Sequence, residues 1–175
     1  DQSYLVVRVS NTEIKAYPNS CLHRGRLLKT YDGRCSEFRC PFHGFTWGLD
    51  GELKHLPAEW DFPHAADRDL SLPEVKVGCW AGFVFINPDA NCEPLKEFLG
   101  PDIQRHFERW DFDNRYLAAH VSRTIRCNWK IANDAFTEGY HVGATHPQAV
   151  TYTGDPQSQI DFWGNTAREL SPKGI

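Results

Sequence analysis

The sequence predicts an α+β chain. A small antiparallel β domain over residues 1–90 is followed by the beginning of a helix-and-antiparallel-sheet domain over residues 91–175. Three observations carry this. The first part is a string of short β-branched and aromatic runs broken by Gly, Pro and Asn. The texture changes at Asn87-Pro88-Asp89. From Pro94 onward apolar residues recur at three- and four-residue steps, as on one face of a helix.

Taken in order, Tyr4 to Val9 is a strand, and Glu13 to Tyr17 follows it across the turn-prone Ser10-Asn11. Gly33, Gly44, Gly48 and Gly51 mark tight turns. Glu74 to Cys79 and Gly82 to Ile86 read as a hairpin joined through Trp80-Ala81, completing a small sandwich with loops at one end. Leu95, Phe98, Leu99, Ile103, Phe107 and Trp110 then define two short helices, with Pro94 and Pro101 in first turns. Arg115 to Cys127 alternates, with Leu117, Ala119, Val121, Ile125 and Cys127 on one face, and predicts a half-buried strand. Asn128 to His141 returns to helical spacing through Trp129, Ala132, Phe136 and Tyr140. The tail from Thr145 reads as loop.

Composition narrows the function classes. At 175 residues, 41% hydrophobic and 24% charged, the chain has the make-up of a globular protein with a core. A net charge of −4 argues against nucleic acid as a partner, because phosphate binding needs a basic face. No apolar run approaches the ~18 residues of a membrane span, so the reading is cytoplasmic, without a membrane partner. Cys35, Cys79, Cys92 and Cys127 are then expected to be reduced. A chain opening at Asp1 inside a strand reads as a fragment.

Chemistry concentrates in Cys21-Leu22-His23 and Cys40-Pro41-Phe42-His43, with 16 residues between His23 and Cys40. Each cluster offers one thiolate and one imidazole. A zinc finger usually keeps its cysteines together and its histidines together, whereas a two-iron cluster with both cysteines on one iron and both histidines on the other needs two mixed loops. A second constellation is Glu138, His141 and His146. Glu138 and His141 share a helix face, and His146 lies where a loop can bring it to the same metal. Two imidazoles and a carboxylate match the facial triad of non-haem Fe(II) oxygenases, which leaves Glu138 open as a third ligand. His55, His64, His106 and His120 lack a paired ligand and read as exposed.

Cys21-Leu22-His23-Arg24-Gly25 with Cys40-Pro41-Phe42-His43-Gly44-Phe45-Thr46-Trp47 resembles the Rieske [2Fe–2S] domain of the ring-hydroxylating oxygenases. Asn128-Trp129-Lys130, an acidic residue three before His141, and His146-Pro147 resemble the catalytic segment of the same family. The resemblance implies Cys21 and Cys40 on one iron, His23 and His43 on the other, and His141 and His146 on a mononuclear Fe(II). It makes Glu138 a bridging carboxylate that hydrogen-bonds His141 and, across a trimer, His43 of the neighbouring subunit. The third iron ligand is implied to lie further along than Asp155 and Asp161. Phe136 and Val142 are candidates to line a substrate pocket. Relative to the respiratory branch, Arg26 and Phe42 stand where disulfide cysteines would be. Phe45 and Trp47 stand where hydroxyl donors to sulfur would be, which implies a potential near about −150 mV. The implied partners are O2, a small apolar or aromatic substrate, a ferredoxin and/or NAD(P)H-dependent reductase, and like chains in a homotrimer, or small subunits in an α3β3 assembly. The rival readings are a Rieske electron carrier without its own catalytic iron and a zinc-stapled interaction module.

Overall fold

The structure is a computed structural model that describes residues 2–65, 67–112, 114–153 and 158–171. The chain divides into two compact units, residues 1–92 and 93–175.

In the first unit, β1 (Tyr4–Arg8) and β2 (Ile14–Pro18) pair antiparallel, with Leu5 opposite Tyr17. β3 (Phe38–Arg39), β4 (Thr46–Trp47) and β5 (Leu53–His55) form a meander in which Phe38 faces Trp47 and Arg39 faces Thr46. β6 (Lys76–Trp80) and β7 (Phe83–Asn87) form the expected hairpin, displaced by one or two residues so that Ala81-Gly82 makes the turn. Both turn residues have positive φ, 52° at Ala81 and 81° at Gly82, the mirror-image turn that matches strand twist.

One apolar cluster holds this unit together: Leu5, Tyr17, Cys21, Leu28, Phe38, Cys40, Trp47 and Leu72, with Val7, Cys35, Phe45, Leu49 and Leu53 packed around it. Trp47 is fully buried, and its indole N–H donates to the Leu70 carbonyl at 2.8 Å, so its burial leaves no donor unsatisfied. Two cysteines belong to this core, which fixes the base of each Cys-His loop in the best-packed part of the unit.

The second unit departs further from expectation. α1 (Leu95–Phe107) is broken at Gly100 (φ 71°, ψ 166°), giving the two helical segments that Pro101 demands. Arg115 to Cys127 is not a strand. Among the described residues it has no ladder partner, and Leu117, Val121 and Ile125 are exposed. Alternation marks a face to be covered, but a strand exists only where a neighbour supplies hydrogen bonds. The helix expected over Asn128–His141 is cut to α2 (Trp129–Asp134), after which turns lead to α3 (Val142–Thr145). The Asn128 side chain caps α2 by accepting the Lys130 N–H at 2.9 Å.

The tail is not all loop. Pro147–Ala149 forms a 3₁₀ turn, α4 spans Val150–Thr153, and β8 (Gln159–Trp163) pairs with β9 (Thr166–Leu170) through Gly164-Asn165. A two-residue Gly-Asn link between alternating runs was the available hairpin signal. Here His106 is half-buried and accepts from Arg168 at 2.9 Å, while Arg168 also pairs with Asp161 and lies over the Trp163 ring. His55, His64 and His120 are exposed. Among the described residues no helix is long and apolar enough to cross a membrane.

Candidate metal centre

The two Cys-His loops are built alike. In the first, the Cys21 N–H donates to the Arg26 carbonyl at 2.8 Å and the Gly25 N–H returns to the Cys21 carbonyl at 2.8 Å. In the second, the Cys40 N–H donates to the Phe45 carbonyl at 2.8 Å and the Gly44 N–H to the Cys40 carbonyl at 3.0 Å. Gly25 and Gly44 both sit at positive φ, 71° and 84°, where a side chain would strain the turn. One spacing thus produces two copies of one turn, each projecting its Cys inward and its His outward.

Cys21 and Cys40 are buried, whereas His23 and His43 are exposed. The imidazoles meet through their Nδ1 atoms at 3.1 Å, with ring centroids 4.9 Å apart. Phe45 stacks on His23 and Phe42 on His43, which holds both rings in place. Burial pushes the Cys21 thiol up, and its contact with the Cys40 thiol adds to that, while the N–H groups of His23 and Arg24 pull the other way. A buried thiol pair of this kind becomes a thiolate pair only beside a strong positive charge, which bound metal supplies. Among the described residues no three His, Cys, Asp or Glu side chains converge as a single ion needs. The donors instead form a sulfur pair and a nitrogen pair, a set that fits a two-iron cluster better than a zinc staple.

Glu138, His141 and His146 come together without the expected helix. The Glu138 Oε1 lies 2.6 Å from the His141 Nδ1, and its Oε2 accepts the His141 N–H at 3.1 Å. The hydrogen bond with His141 holds the Glu138 carboxyl below the usual carboxylate range. With Nδ1 engaged by Glu138, Nε2 is the ring nitrogen left for a metal, the arrangement of a ligating histidine whose other nitrogen is held by a carboxylate. The His146 ring stands 5.5 Å from that of His141, edge to face. No further carboxylate joins them among the described residues. Asp161 is engaged by Arg168, and Asp155 lies outside the described residues. Phe136 is exposed and Val142 half-buried. Asn19, whose buried side chain accepts from the Leu28 and Lys29 N–H groups beside the first loop, carried no sequence signal. Phe45 entered only as a missing hydroxyl, yet it packs on a candidate ligand.

Residues 1–68 match the family described as Rieske [2Fe-2S] domain, and residues 103–170 match the ring hydroxylating alpha subunit (catalytic domain). The chain is 33% identical over 152 residues to a chloroplastic choline monooxygenase from Beta vulgaris, covering 82% of this chain and 33% of that protein. It is 30% identical over 166 residues to the large oxygenase component of a salicylate 5-hydroxylase from Ralstonia sp, covering 87% and 39%. A solved quaternary ammonium Rieske monooxygenase in complex with its substrate L-carnitine superposes with a TM-score of 0.85 at 27% identity, over 97% of this chain and 49% of that one. The chain therefore spans between a third and a half of the proteins it matches.

Proposed function

The chain belongs to the Rieske-type ring-hydroxylating oxygenases, and on that premise we propose that it carries the electron-accepting and iron-binding segments of a terminal oxygenase subunit. Cys21 and Cys40 would hold one iron of a [2Fe–2S] cluster and His23 and His43 the other, and His141 and His146 would hold a mononuclear Fe(II). When bound, these groups supply one-electron transfer and dioxygen activation.

The chain's own residues supply the setting. The buried Cys21 and Cys40 anchor the cluster in the core, while His23 and His43 remain at the surface, where an electron donor has access. Phe42 and Phe45 fix the imidazole planes. Glu138 engages Nδ1 of His141, which leaves Nε2 as the nitrogen that would meet the metal. In the assembled enzyme Glu138 also links the two kinds of centre by engaging a cluster histidine of a neighbouring subunit. Electrons come from NAD(P)H through a reductase or ferredoxin, and the product is a hydroxylated aromatic or other apolar compound. The observation that carries the reading is the pair of matching turns that bring two thiols and two imidazoles together as separate pairs.

The test is a full-length subunit supplied with reductase, NADH and 18O2, offered aromatic acids and quaternary amines in parallel, since the matched relatives act on both. Label in an organic product, lost in His141→Ala while the cluster spectrum persists, is the expected result. A His141→Ala enzyme that still oxygenates overturns the iron assignment. Rapid electron uptake with no labelled product from any substrate supports the electron-carrier reading.

A further inference from the structure

The two loops match inward from their cysteines and differ just outside them. Two residues before Cys40 and seven after it stand Phe38 and Trp47, which are partners in the β3–β4 ladder. The equivalent positions around Cys21 are Asn19 and Leu28, and no strand runs through either of them.

A side chain fills the gap. Asn19 is buried, and its Oδ1 accepts the N–H groups of Leu28 at 2.9 Å and Lys29 at 3.0 Å. Its Nδ2 donates to the Lys29 carbonyl at 2.7 Å and to the Ser3 hydroxyl at 3.0 Å. Both donors and both acceptor sites of the amide are thus used. A side-chain amide has the same donor and acceptor as a peptide unit, so it can stand in for the missing strand.

We propose that Asn19 is the positioning residue of the first loop, closing residues 20–27 so that Cys21 and His23 are held opposite Cys40 and His43. This rests on reading those four residues as cluster ligands. Asn19 touches no ligand atom itself and acts by setting where the loop begins and ends. Its removal unfastens one end of the cluster and leaves the second loop, closed by backbone hydrogen bonds, in place.

The experiment compares the full-length holoenzyme with Asn19→Asp and Asn19→Ala. Asn19→Asp is isosteric and keeps both acceptor contacts, but it loses both donations, to the Lys29 carbonyl and to the Ser3 hydroxyl. Tyr17→Phe, which removes one buried hydrogen bond to the Leu49 carbonyl without touching the loop, serves as the control for stability alone. The readouts are iron and sulfide content, the low-temperature EPR spectrum of the reduced protein, its midpoint potential, and the rate of iron loss to a chelator. The expected result is an altered EPR spectrum and potential in both Asn19 variants, with iron lost about tenfold faster or more. Tyr17→Phe is expected to keep the wild-type spectrum and potential. Should Asn19→Ala fail to fold, Asn19→Asp decides alone. Wild-type spectrum, potential and loss rate in Asn19→Asp would overturn the positioning role. A wild-type protein with no iron and sulfide in equal amounts would instead overturn the cluster reading itself.

Discussion

Replacing Gly51 by alanine tests the packing beneath the second ligand loop. Gly51 has φ 89°, and its carbonyl accepts the Leu72 N–H at 2.9 Å. A Cβ there would stand 2.6 Å from Cε1 of Tyr17 and 3.0 Å from its Cζ. Carbon atoms rest at about 3.5–4.0 Å, so the overlap is close to 1 Å. The Tyr17 ring has nowhere to retreat. It is 1% exposed, packs edge-on against Phe38, and donates its hydroxyl to the Leu49 carbonyl. The left-handed backbone costs about 1–2 kcal/mol for a residue with a side chain. Forced overpacking adds about 1–3 kcal/mol. Together they remove about 2–5 kcal/mol, against a typical domain stability of about 5–15 kcal/mol. The comparison is Gly139→Ala, whose Cβ meets Glu169 Oε1 at 2.9 Å and Ser158 Oγ at 3.0 Å. Nominal overlap is comparable there, but the Glu169 carboxylate is the free end of a long side chain, so the cost should stay near or below about 1 kcal/mol, one lost hydrogen bond. Urea unfolding followed by tryptophan fluorescence reads both. With m near about 2 kcal/mol/M, Gly51→Ala should lower the midpoint by about 1–2.5 M. Equal midpoints for the two variants would refute the claim that rigidity of the neighbour, more than distance, sets the penalty.

Three further outcomes follow from other parts of the structure. Burial, reinforced by Glu74, Asp50 and Glu13, raises the Tyr17 phenol far above its ordinary value of about 10. The unfolded chain then gives up this proton first, so stability present below about pH 10 is lost progressively above it, and Tyr17→Phe should flatten that alkaline slope in pH-dependent unfolding curves. Ala81 holds φ 52° in the β6–β7 turn, so Ala81→Asn, giving Asn-Gly, should raise stability by about 0.5–1 kcal/mol, read as a higher melting temperature. Asn128→Ala removes the cap of α2 and should cost that helix about 1 kcal/mol, visible as faster amide exchange at Ala132.

Legibility in the sequence followed the range of the interactions. The loops Cys21–Gly25 and Cys40–Gly44 are local, closed by hydrogen bonds within five residues, so spacing and glycine placement were enough to find them. The β6–β7 hairpin was legible for the same reason. Arg115–Cys127 was not, because alternation specifies a face and leaves the partner unnamed, and among the described residues none is present. The helix expected through His141 stops at Asp134, and further along the Glu138 carboxylate takes the His141 N–H that a continuing helix would have bonded to the backbone. Glu138 and His141 still met, by a turn instead of a helical face. Asn19 was illegible because its partners, Ser3, Leu28 and Lys29, are brought together only by the fold.

The different closures of the two loops bear on how the protein tolerates genetic change. The β3–β4 ladder, in which Arg39 lies opposite Thr46, is held by main-chain groups that nearly every amino acid carries, so it survives most replacements of the exposed Arg39. The other loop adds to its own backbone turn a clasp that resides in one codon, and few alternatives reproduce an amide of that length. Random substitution should therefore find position 39 permissive and position 19 intolerant, although neither is among the four candidate ligands.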